Sequence, residues 1–186
     1  MPIWNTARLA AVAVGFAALA SCATLNKEEC QAANWLELGR QDGAAGRSPG
    51  HIDAHRRACS EHKLPVDQSQ WQIGWEEGIR HYCTAENGLL QGREGRSYAH
   101  SCPPELKSEF ENAYFVAKAV YDARLSRDRL ALDLQTKIRE LRDAKTPEER
   151  RRIEIAIDDI RLQMRRADDR LRDAERDYDR YVFGRR

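Results

Sequence analysis

The chain has 186 residues, with 31 basic against 30 acidic side chains, and a third of it is charged. So even a balance excludes a nucleic-acid footprint or a polybasic membrane surface. Modest apolar content among so many charges suits long solvated helices better than one large closed core.

The only hydrophobic run lies at the start. Arg8 precedes Leu9-Ala10-Ala11-Val12-Ala13-Val14-Gly15-Phe16-Ala17-Ala18, a positive segment followed by an apolar one too short to span a bilayer comfortably. The run ends in Leu19-Ala20-Ser21-Cys22. That ending resembles the lipobox of bacterial lipoproteins, in which the cysteine becomes the acylated first residue of the mature chain. An ordinary export signal with a chance cysteine is the competing reading. Residues 1–21 therefore read as a lipoprotein signal peptide and 22–27 as a lipidated tether. Their removal takes away Arg8 and no acid, so the 31 basic residues fall to 30 against 30 acidic ones.

Residues 28–103 hold Cys30, Cys59, Cys83 and Cys102, and all the glycines except Gly15 and Gly184. An even set of cysteines in an exported chain reads as two disulfides. Three pairings are open. Cys30–Cys59 and Cys83–Cys102 are preferred because each encloses one glycine repeat. Those repeats are Gly39-x3-Gly43-x2-Gly46 and Gly88-x3-Gly92-x2-Gly95, with a shorter Gly74-x3-Gly78 between them. Steps of four and three place glycines on one helix face. Each costs a helix about 1 kcal/mol against alanine, so the pattern needs a reason, and close approach of a helix or a ring supplies one. Trp35, Trp71, Trp75 and Tyr82 are the rings available to cover the bare stripes. A dinucleotide-binding reading fails, because no strand precedes Gly39 and no βαβ unit follows.

The runs Trp35-x3-Gly39-x2-Asp42-Gly43-x2-Gly46, Gly74-Trp75-x2-Gly78-x3-Tyr82-Cys83 and Asn87-Gly88-x3-Gly92-x2-Gly95-x2-Tyr98-x3-Cys102-Pro103 resemble a family of proteobacterial lipoproteins. It is known as a domain of unknown function, and the likeness covers about residues 22–121, including Phe110 and Tyr114. The resemblance implies an envelope location and a cysteine pattern. It brings no catalytic residue.

Histidines give one enzyme-like signal. His51, His55, Cys59 and His62 would share a face if the segment is helical, and two histidines a turn apart can chelate zinc or copper. Oxidation of Cys59, the polar surroundings and the lack of an acidic base between the histidines favour a solvated helix face instead, so no metal or other cofactor is assigned.

Residues 104–183 contain no glycine or cysteine, which marks a boundary at Pro103-Pro104. Ile153, Ile157, Ile160, Met164, Ala167, Leu171, Ala174, Tyr178 and Tyr181 step 4-3-4-3 as a heptad seam. Thr146-Pro147-Glu148-Glu149 predicts its start, with a cap, a first-turn proline and a capping-box glutamate. Upstream, Phe110, Tyr114, Ala117, Tyr121 and Leu125 form a similar stripe. It is interrupted by Arg124, Arg127 and Asp128 and resumes at Leu130, Leu134, Ile138 and Leu141. The polar link Asp143–Thr146 closes the two into an antiparallel hairpin, with pairing between chains as the rival.

The expected fold is all-α, a small disulfide-stapled helical domain followed by a long antiparallel hairpin. The expected function is that of a non-catalytic envelope lipoprotein. It would be anchored through Cys22, and since Ala23 and Thr24 stand where lipoproteins retained at the inner membrane typically carry an aspartate, its resemblance to sorted lipoproteins implies the periplasmic face of the outer membrane, where it would act on an envelope protein partner. A homo-oligomer through the coiled coil is the variant of that reading. The alternative is a binding module for a small ligand or cell-wall fragment, with an aromatic-lined concavity near Trp35, Trp71, Trp75 and Tyr98.

Overall fold

The structure is a computed structural model that describes residues 24–184. The expected acylation site, Cys22, lies outside the described residues. Among those residues helix accounts for 80 %, and there is no strand. The order is α1 (Lys27–Ala32), α2 (Trp35–Ala44), a 3-10 turn (Pro49–His51), α3 (Ile52–Ser60), α4 (Gln68–Tyr82), α5 (Ala85–Arg93), α6 (Pro104–Asp143) and α7 (Pro147–Phe183). Local chemistry sets most of the starts. Asn26, Asn34, Asp67, Thr84 and Thr146 each accept a backbone N–H of the helix they precede. Neither disulfide departs from expectation: Cys30–Cys59 ties α1 to α3, and Cys83–Cys102 ties the end of α4 to the entrance of α6.

The glycines make the head. A methyl built on Gly39 would sit 2.0 Å from the Trp71 carbonyl oxygen, and one on Gly43 2.4 Å from that of Trp75. Conversely, a methyl on Gly74 would meet the Leu36 oxygen at 1.8 Å, and one on Gly78 the Arg40 oxygen at 2.1 Å. Helices α2 and α4 thus touch backbone to backbone, with bare stripes on both sides. Helix α2 then ends in a Schellman turn. Arg47 N–H donates to the Asp42 oxygen and Gly46 N–H to the Gly43 oxygen, with Gly46 at φ +72°. The Tyr82 ring lies flat over Gly46, and Trp75 Nε1 donates to the Arg47 oxygen at 2.9 Å.

The same device recurs between α5 and α6. Gly88 and Gly92 face the Phe110 and Tyr114 oxygens, Gly95 adopts φ +68° under the Tyr121 ring, and Tyr114 Oη donates to the Arg96 oxygen at 2.8 Å. On the second helix every counterpart lies at one constant interval: Trp71 to Phe110, Gly74 to Ala113, Trp75 to Tyr114, Gly78 to Ala117 and Tyr82 to Tyr121. The repeat seen in sequence is therefore a repeat of helix pairs. The two pairs share one core, in which Trp71, Trp75, Ile79, Tyr82, Phe110 and Tyr114 pack with the bonded pair Cys83 and Cys102. The change at Pro103-Pro104 is one of composition, because the first turns of α6 pack into the head.

Beyond Tyr121, α6 runs out with α7 as an arm. The helices have 40 and 37 residues, about 55–60 Å at 1.5 Å per residue. All nine expected seam positions of α7 are half-buried or buried, Ile157 and Ala167 being the buried ones. The charges that interrupt the stripe of α6 are used across the hairpin: Arg124 reaches Glu175 at 3.4 Å and Arg127 reaches Asp168 at 3.5 Å. One position departs from expectation. Ile138 is 43 % exposed, and Lys137 lies half-buried in its place. The stripe runs Leu130, Leu134, Lys137, Leu141, and the methylene stem of the lysine covers the seam while its ammonium pairs with Glu140 at 2.7 Å. At the link, Thr146 caps α7, and Glu149 reaches back to the Lys145 N–H at 3.1 Å. Arg150 holds the oxygen of buried Ala144.

Candidate functional site: a half-buried carboxylate between two imidazoles

Asp42 occupies α2 between Gly39 and Gly43, a place where an unpartnered charge would cost several kcal/mol. Its carboxylate is satisfied by groups from other elements. Oδ2 accepts from Trp71 Nε1 of α4 at 2.9 Å and from His55 Nε2 of α3 at 2.8 Å. Oδ1 lies 3.7 Å from His51 Nε2 at the end of the 3-10 turn. The two imidazoles meet edge to face with centroids 5.0 Å apart. His55 is 3 % exposed, and its Nδ1 lies 2.9 Å from Thr24 Oγ1. Because the carboxylate only accepts, Nε2 carries the hydrogen toward Asp42, and in the neutral ring Nδ1 accepts from the Thr24 hydroxyl.

Burial works against ionisation of Asp42. Hydrogen bonds from His55 and Trp71, with the charges of His55 and His51, more than offset it, so its pKa lies below the usual carboxylate value. His51 is also lowered. Burial is the main cause, with His55 and Arg47 adding to it, against the opposing pull of Asp42. The cluster therefore favours an ionised carboxylate beside a neutral His51 at neutral pH.

Of the histidines expected on one face, the structure brings His51 and His55 together. His62 lies in the exposed turn after α3, and Cys59 is fully buried in its disulfide. The partner that the spacing did not reveal is Asp42. Its signal was present in Gly39-x2-Asp42-Gly43: a charge inside a stripe that must pack.

The aromatic residues expected to line a concavity sit elsewhere, and this corrects that expectation. Trp71 is 0 % exposed and Trp75 nearly so, each with its indole N–H committed to an acceptor, because the bare glycine stripes draw α2 and α4 too close to leave a cleft. Trp35 is half-buried beside His55, and Tyr98 packs on Phe110 and Tyr114 while accepting from Cys102 N–H at 3.3 Å. Hydroxyl, imidazole and carboxylate do follow one another in Thr24, His55 and Asp42, the order used in acyl transfer. Here the imidazole is closed from solvent, and the chain of bonds fastens residue 24, α2, α3 and α4 to one another.

Residues 34–119 match the model of a family described as a protein of unknown function (DUF2799). The match begins at the cap of α2 and ends in α6 just after Ala117, so it spans both glycine-packed helix pairs and the Asp42 cluster. No curated protein and no solved structure matches the chain.

Proposed function

We propose that this chain is a non-catalytic, lipid-anchored protein of the cell envelope, held through Cys22 at the periplasmic face of the outer membrane and engaging an envelope protein with its helical arm. The observation that carries this reading is the outward face of the arm. The seam of α7 turns its apolar positions toward α6, yet Ile155, 63 % exposed, and Leu162 stand seven residues apart on the opposite side of the same helix. Leu132 and Ile138 are exposed on α6 along the same stretch. A hairpin needing only its own closure would carry polar residues there. Two further features support it. Among the described residues, no helix is long and apolar enough to cross a membrane. Thr24, two residues after Cys22, is hydrogen-bonded to His55, so acyl chains on Cys22 would hold the head close to the lipid surface.

The alternative of a small-ligand or cell-wall-fragment site in the glycine- and tryptophan-rich head is less well supported, because the core fills the space between its rings. The test is in-cell crosslinking with photoreactive residues at Leu132, Ile138, Ile155 and Leu162, in the wild-type chain and in Cys22→Ala. Adducts to one envelope protein that vanish in Cys22→Ala are the expected result. Self-adducts alone would make the arm an oligomerisation device, and no adducts at all would remove the arm from the function.

A further inference from the structure

The Asp42 cluster has the composition and the shape of a metal site. Asp42, His51 and His55 come from three separate elements, and their ligand atoms all lie within 4.8 Å of one another. Both imidazoles turn Nε2 toward the same carboxylate, at 2.8 and 3.7 Å. Ligand atoms about 2.0–2.1 Å from a tetrahedral zinc stand roughly 3.4 Å apart, so the first pair would open and the second close by well under 1 Å. The groups behind the ligands are those that orient them in metal centres. His55 has its far nitrogen on Thr24 Oγ1, and Asp42 is held by Trp71 Nε1.

The second helix pair supplies an independent observation. The first helices are related by the step that takes Gly39 to Gly88, which sets Gln91 where Asp42 stands, and the second helices by the step that takes Gly74 to Ala113, which sets Phe110 where Trp71 stands. That pair packs in the same way with no carboxylate where Asp42 stands and no indole donor where Trp71 stands, while His100, the counterpart of His51, is exposed and faces Glu111. Packing alone therefore does not call for Asp42.

We propose that Asp42, His51 and His55 bind one divalent transition-metal ion, with zinc the best match to two imidazoles and one carboxylate. His51 is the most exposed of the three and marks the side on which a fourth position stays open to water or to another donor. Binding at Nε2 of His55 places the ring hydrogen on Nδ1, where Thr24 Oγ1 accepts it. The site belongs to the head and does not rest on the anchor or the arm.

The test uses the full-length chain in detergent with both disulfides intact. It is dialysed against zinc, or against cobalt as a spectroscopic substitute. One ion per chain and visible cobalt absorption are expected. His51→Ala, at the open edge, should lose both while keeping its circular dichroism, and Asp42→Asn should do the same. Thr24→Val should weaken zinc binding about 10- to 100-fold. His62→Ala and His100→Ala should bind as wild type. Absence of stoichiometric uptake by the wild-type chain would overturn the proposal. So would uptake unchanged in His51→Ala or lost in His62→Ala.

Discussion

The two helix pairs of the head are built from one pattern and differ in what they carry. In α2–α4 both faces are bare, with Gly39 and Gly43 against Gly74 and Gly78. In α5–α6 two of the four positions are filled, with Ala113 and Ala117 beneath Gly88 and Gly92. Under the closing turn, the first pair buries an indole donor on a carboxylate and the second buries Phe110. The difference separates what packing demands from what has been added to it. A glycine stripe, a left-handed glycine at the turn and an aromatic ring over that glycine are shared. Asp42, with His55, is not.

The largest effect expected from this comparison is at Gly74. Alanine there gains about 1 kcal/mol in helix propensity, but its methyl would lie 1.8 Å from the Leu36 carbonyl oxygen, and neither backbone can yield locally. Gly74→Ala should lower stability by about 3 kcal/mol or more in urea unfolding, at the upper end of what overpacking costs. A neutral or stabilising result would mean that the helices are not in backbone contact. The counterpart substitution runs the other way. Ala113→Gly removes a methyl that already fits and should cost about 1 kcal/mol, mostly helix propensity, read from the same unfolding curves.

Much of this was legible in the sequence. The 4-3 spacing of the glycines, the paired cysteines, the heptad seam and the proline-led start of α7 each specify local geometry, and the structure forms them. Other features were not legible, for physical reasons. Spacing along one helix cannot show that Asp42 on α2 meets His55 on α3, because that contact depends on the angle at which helices cross. Tryptophans read equally well as a binding surface or as filler, and only the closeness of α2 and α4 decides for filler. In the arm, Lys137 replaces Ile138 in the seam because a lysine stem serves as an apolar surface when its ammonium finds Glu140.

A smaller effect is expected in alkali. Burial raises the pKa of Tyr82, the charges of Tyr98 and Tyr114 raise it further, and Arg96 opposes them. The folded chain thus keeps the phenol proton to a higher pH than the unfolded chain, which releases it near pH 10. The stability this contributes is intact below pH 10 and is lost as pH rises through the folded value. Tyr82→Phe should therefore flatten the fall in urea midpoint between pH 9 and pH 11. Tyr98, raised mainly by burial, leaves a remainder of the same sign. An unchanged slope in Tyr82→Phe would place the alkaline sensitivity elsewhere.

The claim that the carboxylate is laid on a scaffold able to stand without it is tested most directly by residue-resolved hydrogen exchange on Asp42→Asn. Loss of protection should be confined to the start of the chain near Thr24 and to α3, the segments that His55 ties down, while the amides of α2 and α4 stay protected by their glycine contact. Exchange spreading through α2 and α4 would contradict the account and make Asp42 part of the packing itself.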